Sequence, residues 1–198
     1  MARTDAAAAP APVCSRNTHV RPNEEIEPGS LGELAAVKRA RRGDREALAR
    51  LYRCYARPVH AALLARIGDR HLADDAVQDV FEAAMRNLGR LRDPARFGPW
   101  LLVIARRKAA DVHRRARPTV PLEAEPARSA PPHLEAHEVL VALQSLPRAY
   151  RETLTMRLIE GMTGPEISAA TGLKPISVRV NLHRGMKLLR ARMAGGSS

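Results

Sequence analysis

Prolines partition this chain more sharply than any other feature. Nine of the 15 lie in two short stretches, residues 1–30 (Pro10, Pro12, Pro22, Pro28) and 116–133 (Pro118, Pro121, Pro126, Pro131, Pro132). Proline lacks the amide hydrogen that a helix interior needs, and these stretches offer few large apolar side chains to bury. The first is expected to be a disordered tail and the second a flexible linker. What remains is two blocks, residues 31–115 and 134–193, with 194–198 as a flexible C-terminus. A chain of 198 residues is long enough for two small domains of this kind. It is 45% hydrophobic but only 3% aromatic, so Ala, Leu and Val must build the cores. That favours an all-α fold over sheets, which use aromatic and β-branched side chains.

Charge follows the same division. Against 33 Lys and Arg stand 21 Asp and Glu, a formal net charge of +12. Residues 31–115 hold 19 basic and 10 acidic side chains, and residues 134–198 hold nine and five. Two basic helical blocks point to a polyanionic partner, nucleic acid or an acidic surface. Cys14 and Cys54 form neither a disulfide framework nor a C-x-x-C pair. The longest apolar run, Trp100 to Ala105, is too short to cross a bilayer. The stretch Ala6 to Val13 lacks the leucine-rich core of an export signal. The expectation is a soluble, cytoplasmic, nucleoid-associated protein without membrane insertion.

In the first block, Ser30-Leu31-Gly32-Glu33 has capping-box spacing and predicts a helix from about Leu31. Gly43-Asp44 interrupts it, and Asp44 is placed to cap a second helix. That helix sets Leu48, Leu51, Tyr52, Tyr55, Val59 and Leu63 on one stripe, and Gly68-Asp69 ends it. A third turns Val77, Val80, Phe81, Ala84, Met85 and Leu88 inward and Asp74, Asp75, Gln78, Asp79 and Glu82 outward. Asp75 and Asp79 share a face, but no nearby His or Cys and no EF-hand loop completes a ligand set, so no metal is assigned. The acids read as a solvated face near a helix N-terminus or as a docking face for a protein.

After Asp93-Pro94, a helix from about Trp100 to Arg115 turns Trp100, Leu101, Ile104, Ala105 and Val112 inward. Arg106, Arg107, Lys108, Arg114 and Arg115 give it a dense cationic surface. Tyr52, Tyr55, Phe81, Phe97 and Trp100 all lie in this block. Rings beside a cationic helix suit unpaired bases, although the two tyrosines and Phe81, on their apolar stripe, read first as core.

The second block begins with a short apolar helix through Val139, Leu140, Leu143 and Leu146 that stops before Pro147. Tyr150, Leu154 and Leu158 mark a further helix, which Gly161 ends. Thr163-Gly164-Pro165-Glu166 is a capping box with Pro in the first turn, opening a brief helix with Ile167 and Ala170 apolar. Beyond Thr171-Gly172-Leu173, a last helix runs from Pro175 or Ile176 to about Arg192, with Val178, Leu182, Met186 and Leu189 inside. This is the grammar of a helix-turn-helix, whose second helix lays its N-terminal residues on base edges in the major groove. Arg179 and Arg184 suit guanine, and Asn181 suits adenine. The plainer alternative is an αα-hairpin with a solvated basic face. His133 and His137 have helical spacing, but no H-E-x-x-H, serine elbow or phosphate loop accompanies them. No enzyme activity, metal, cofactor or small-molecule substrate is expected.

In combination these motifs resemble the extracytoplasmic-function (ECF) group of bacterial sigma-70 family factors, over roughly residues 33–193. Asp74-Asp75-Ala76-Val77-Gln78-Asp79-Val80-Phe81 is similar to the acidic helix of sigma region two. Phe97-Gly98-Pro99-Trp100-Leu101-Leu102-Val103-Ile104-Ala105-Arg106 is similar to the stretch leading into its promoter-melting helix. Leu146-Pro147, Tyr150-Arg151, and Glu166-Ile167-Ser168 through Leu182-His183-Arg184 are similar to region four.

The resemblance implies a subunit that binds core RNA polymerase, directs it to promoters and promotes DNA melting. It implies that Asp74, Asp75, Gln78, Asp79 and Glu82 meet the β′ clamp helices, with the β subunit as a further contact. Minus-ten contacts are implied for Arg92, Arg96, Phe97, Trp100, Arg106, Arg107, Lys108, Asp111, Arg114 and Arg115. The loop from Leu91 to Phe97 would take a flipped base of the melted non-template strand. Lys174, Ser177, Arg179, Asn181, Arg184 and Lys187 would read the duplex minus-thirty-five element. Many relatives also have an anti-sigma partner. Arg107 stands where many relatives have Asn, and Asn181 and Gly185 stand where Arg and Ala are common. The rival from another class is a freestanding helix-turn-helix regulator, its first block serving dimerisation or sensing, which binds duplex DNA without polymerase and does not melt it.

Overall fold

The computed structural model describes residues 26–115 and 134–195. The expected linker, most of the expected tail and residues 196–198 lie outside the described residues. The described residues form eight α-helices and no strand, so the all-α expectation holds. An N-terminal unit contains α1 (Leu31–Ala40), α2 (Arg45–Ile67), α3 (Arg70–Asn87) and α4 (Phe97–Arg115), with 3₁₀ turns at Leu88–Arg90 and Pro94–Arg96. A C-terminal unit contains α5 (Leu134–Gln144), α6 (Arg148–Leu158), α7 (Gly164–Thr171) and α8 (Pro175–Gly195).

Local chemistry sets most of these boundaries. Asp44 and Asp69 cap α2 and α3, accepting from the Ala47 and Leu72 amides at 3.0 and 2.9 Å. Gly68 ends α2 at φ 83°, a left-handed conformation that glycine adopts without a Cβ penalty. At α1, Ser30 accepts from the Glu33 amide at 3.1 Å. The reciprocal half of that capping box is diverted: Glu33 accepts from the Gly29 amide instead, and from the Tyr55 hydroxyl at 2.9 Å. Ile26 is already buried in the core, so the first unit takes in residues assigned above to the tail.

In the N-terminal unit, α2 packs against α1, α3 and α4. Leu51, Val59, Leu63, Val80, Phe97 and Leu101 are fully shielded, each aliphatic side chain stabilising by about 1.5–3 kcal/mol. Helix α4 begins at Phe97, ahead of the expected Trp100, because Pro99 falls in the first turn where no amide donor is needed. That register makes Leu102 and Ala109 core residues and leaves Val112 only half-buried. Tyr52 departs from the expected core stripe: it is 45% exposed, its ring tilted over Phe81 at 4.6 Å.

In the C-terminal unit, Leu143, Leu154, Ile167 and Val178 carry the core. Leu158 and Ala170, expected inside, are exposed. The inward residues of α6 are instead Thr153, Leu154, Thr155 and Met156. The two threonine hydroxyls are satisfied by the Ala149 and Arg151 carbonyls at 3.0 and 2.8 Å.

The two units are not joined by a tether alone. Residues Ala62, Leu63, Leu64, Ala65 and Arg66 of α2 are buried at five successive positions, which a helix with one covered face cannot achieve. Helices α5 and α6 cover the other side. Gln144 donates to the Leu64 carbonyl at 3.0 Å, Arg66 pairs with Glu152 at 3.1 Å and Glu160 at 2.5 Å, and Leu140 and Ile159 pack on the N-terminal core.

Candidate nucleic-acid interface

Helix α3 presents all five expected acidic-face residues, Asp74, Asp75, Gln78, Asp79 and Glu82, to solvent. Its opposite face is held down by Ala73, Ala76, Val77, Val80, Phe81 and Ala84. Asp74 meets His60 at 3.0 Å and Arg70 at 4.0 Å, Glu82 meets Arg86 at 3.3 Å, and Asp79 pairs with Lys108 of α4. Among the described residues, no three His, Cys, Asp or Glu side chains converge as a metal site needs.

The basic residues of α4 divide into two kinds. Arg107, Arg114 and Arg115 are exposed, with Arg114 bonded to Asp111 one turn back. Arg106 and Lys108 are occupied: Arg106 is 18% exposed and pairs with Glu160 at 2.8 Å, and Lys108 pairs with Asp79. The uniform cationic surface expected of this helix is therefore corrected to an exposed strip plus two cations held by acids. Ahead of α4, Arg92 and Arg96 project from the turn region, Arg96 lying 3.9 Å from Asp93.

The rings sort differently from expectation. Phe97 is wholly buried, edge-on to Tyr55 at 5.4 Å and tilted to Trp100 at 6.0 Å. It supports the base of α4 and, contrary to expectation, presents no surface to DNA. Trp100 is half-buried and retains an accessible edge. Gly98 lets Tyr55 approach: a Cβ there would stand 2.5 Å from the Tyr55 oxygen. Burial first, then the bond to Glu33, pushes the Tyr55 phenol well above its ordinary range. Burial, with the Glu33 charge second, pushes the Cys54 thiol up to about 11.

In the C-terminal unit, Thr163 and Glu166 form a complete capping box at the start of α7, with Glu166 accepting from the Thr163 amide at 2.8 Å. That amide first, and the Thr163 hydroxyl second, hold the Glu166 carboxyl below its usual range. Gly172 closes α7 at φ 72°, leaving a three-residue turn, Gly172–Lys174, before α8. Lys174, Arg179, Arg184 and Lys187 are exposed, and Ser177 and Asn181 are half-buried. At about 100° per residue, Ser177, Asn181 and Arg184 share one flank of α8 while Arg179 lies on the other. Between the flanks stand Ile176 and Val180, 60% and 36% exposed. Sequence reasoning missed these two, although the same angular count flags them as apolar residues opposite the core. It also missed Glu160, for which no local pattern exists. Lys187 rims a groove of about 520 Å³ between α6 and α8, floored by Leu154, Leu182 and Met186.

The sigma-70 region 2 family matches residues 51–119 and the sigma-70 region 4 family matches residues 136–189. The chain is 34% identical over 163 residues to the RNA polymerase sigma factor CarQ of Myxococcus xanthus, covering 78% of this chain and 93% of CarQ. It is 34% identical over 172 residues to the ECF RNA polymerase sigma factor SigD of Mycobacterium tuberculosis, covering 79% of this chain and 81% of SigD. The solved structure of CnrH in complex with the cytosolic domain of CnrY superposes with a TM-score of 0.60 at 27% identity, covering 84% of this chain and 99% of that one. Among the described residues, no helix is long and apolar enough to cross a membrane.

Proposed function

The chain belongs to the ECF family of RNA polymerase sigma factors, and we propose that it binds core polymerase, selects promoters and promotes their melting. One observation carries the reading: the N-terminal unit holds an exposed acidic face on α3 directly beside the basic α4. Duplex binding alone does not call for such a face, which suits docking to a protein. Asp74, Asp75, Gln78, Asp79 and Glu82 form the surface offered to the β′ clamp helices.

Promoter recognition then divides between the units. In α8, Ser177, Asn181 and Arg184 offer hydrogen-bonding groups to base edges of the minus-thirty-five element, at about 1–3 kcal/mol of discrimination for each good bidentate pair. Ile176 and Val180 suit thymine methyl groups, and Lys174 and Lys187 suit phosphates. In the N-terminal unit, Arg92, Arg96 and Trp100 line the approach to a flipped minus-ten base, while Arg106, Arg107, Lys108, Arg114 and Arg115 neutralise the adjoining backbone. Extracting a base costs a few kcal/mol of stacking and pairing, which these contacts offset. The chain itself makes and breaks no covalent bond. The groove between α6 and α8, with Arg157, Lys187 and Arg190 around an apolar floor, fits an acidic amphipathic helix of an anti-sigma partner.

The test is transcription in vitro with bacterial core polymerase on sheared genomic DNA, sequencing the 5′ ends of the transcripts. Discrete new start sites that depend on the added chain are expected, and their upstream sequences give both elements. Unchanged starts, with duplex protection by the chain alone, would replace this reading with a freestanding regulator.

A further inference from the structure

The corner between α1 and α2 carries a run of positive charge that the sites described above do not use. From Lys38 to Glu46 five cations, Lys38, Arg39, Arg41, Arg42 and Arg45, stand against Asp44 and Glu46. All five are exposed. They precede residue 51, where the match to sigma-70 region 2 begins. Two of them serve the fold: Arg39 pairs with Asp44 at 2.7 Å, and Arg41 donates to the Leu91 carbonyl. Lys38, Arg42 and Arg45 enter no ion pair among the described residues. Lys38 lies in the last turn of α1, where a cation complements the helix dipole. Arg45 opens α2, the end at which the dipole disfavours a cation. Helix stability does not call for it.

The bond from Arg41 decides what this charge stands beside. Leu91 is buried at the start of the turn region that leads into α4, between the exposed Arg90 and Arg92. Helix α1 also packs against the 3₁₀ turn at Pro94–Arg96. The corner is thus fastened to the loop Leu91–Phe97, at the end away from α4. We propose that the α1–α2 corner is a further DNA-binding surface, where Lys38, Arg42 and Arg45 hold phosphates of the melted non-template strand. The assignment rests on the reading of that loop as the place where a minus-ten base is captured. Under that reading α4 neutralises the backbone on the duplex side of the captured base. A strand that crosses the loop from α4 then runs onto the corner, toward the transcription start. Crowded cations repel one another in the free protein, and an anionic strand relieves that repulsion. The contact carries no base preference, because phosphates are alike in every sequence.

The experiment uses polymerase holoenzyme assembled with the full chain and two fork-junction DNAs bearing the minus-ten element. In one the non-template strand ends at the captured base; in the other a thymidine tract extends it toward the start. Anisotropy titrations across roughly 50 to 200 mM salt give affinity and salt slope. The extension should steepen the wild-type slope by about two more than that of Lys38→Ala/Arg42→Ala/Arg45→Ala, at about 0.7 for each neutralised single-strand phosphate. The triple variant should bind the extended fork roughly tenfold more weakly and the truncated fork as before. Arg42→Ala alone, in the turn outside both helices, should lose about 0.7 of the slope and tests the same contact without altering a helix. Arg42→Lys/Arg45→Lys should keep the wild-type slope, because neutralising a phosphate needs charge rather than a planar donor. Slopes equal to wild type in the alanine variants overturn the surface. Equal losses on both forks, or weaker assembly with core polymerase, make the corner a polymerase contact and overturn it as well. Equal wild-type binding of truncated forks with intact and scrambled minus-ten bases removes the loop reading, and the surface with it.

Discussion

Lys108 on the basic helix α4 is ion-paired with Asp79 on the acidic helix α3, so a residue assigned to DNA and one assigned to polymerase hold each other in the free protein. The pair is partly exposed, Asp79 at 49%, and such pairs contribute about 0–1 kcal/mol to folding. Asp79→Ala is therefore expected to change stability by less than about 1 kcal/mol in urea denaturation while weakening co-elution with core polymerase. Lys108→Ala is expected to weaken open-complex formation evenly across promoters and to reduce the salt slope by about one. A destabilisation well above 1 kcal/mol in either variant would make the pair structural.

Tyr55, Glu33 and Gly98 form a second dependent set. Tyr55→Phe leaves the Glu33 carboxylate, 2% exposed, with one fewer donor, at a cost of about 1–3 kcal/mol. Gly98→Ala should cost at least as much, because its Cβ would overlap the Tyr55 ring. The folded-state phenol is raised above its unfolded value near 10. Its contribution is therefore complete below about pH 10 and lost as pH climbs beyond that. Chemical denaturation across pH 8 to 11 should show the wild-type advantage over Tyr55→Phe shrinking at the alkaline end. A constant difference would remove the phenol from the account.

Which features were legible in the sequence follows from the range of the interactions. Asp44, Asp69, Thr163 and Glu166 act on amides three residues away, so the spacing that predicts a cap is the cap itself. The inner face of α8 was legible for the same reason. Phe97 was not, because Gly98, Pro99 and Arg96 around it look like loop, while burial comes from Tyr55 in another helix. The junction of Arg66, Arg106 and Glu160 was invisible. Charged residues read as surface until their partners, 54 and 94 positions away, are known.

Cys54 offers a test of local burial. With its thiol pushed to about 11, the thiolate fraction at pH 8 is more than about a hundredfold below that of an ordinary cysteine near 8.5. In a Cys14→Ser background, iodoacetamide should label Cys54 about a hundredfold more slowly in the native protein than in denaturant. Comparable rates would mean that α2 opens around Cys54 far more readily than its packing implies.

Gly185 sets how closely α6 and α8 approach. A Cβ at this position would lie 3.1 Å from both Tyr150 Cβ and a Leu154 methyl carbon. Tyr150 Cβ is fixed to the backbone, and Leu154 is fully buried, so neither can yield cheaply. Gly185→Val is expected to cost about 1–3 kcal/mol by overpacking, with faster amide exchange confined to α6 and α8. Gly185→Ala should lose less, because about 1 kcal/mol of helix propensity offsets the same contact. Because Glu160 is carried at the end of α6, the Val variant should also displace the loop that reaches Arg106. A radius of gyration that rises with Gly185→Val but not with Gly185→Ala would connect the packing of α8 to closure of the two units. Equal values for both would confine the effect of Gly185 to the C-terminal unit.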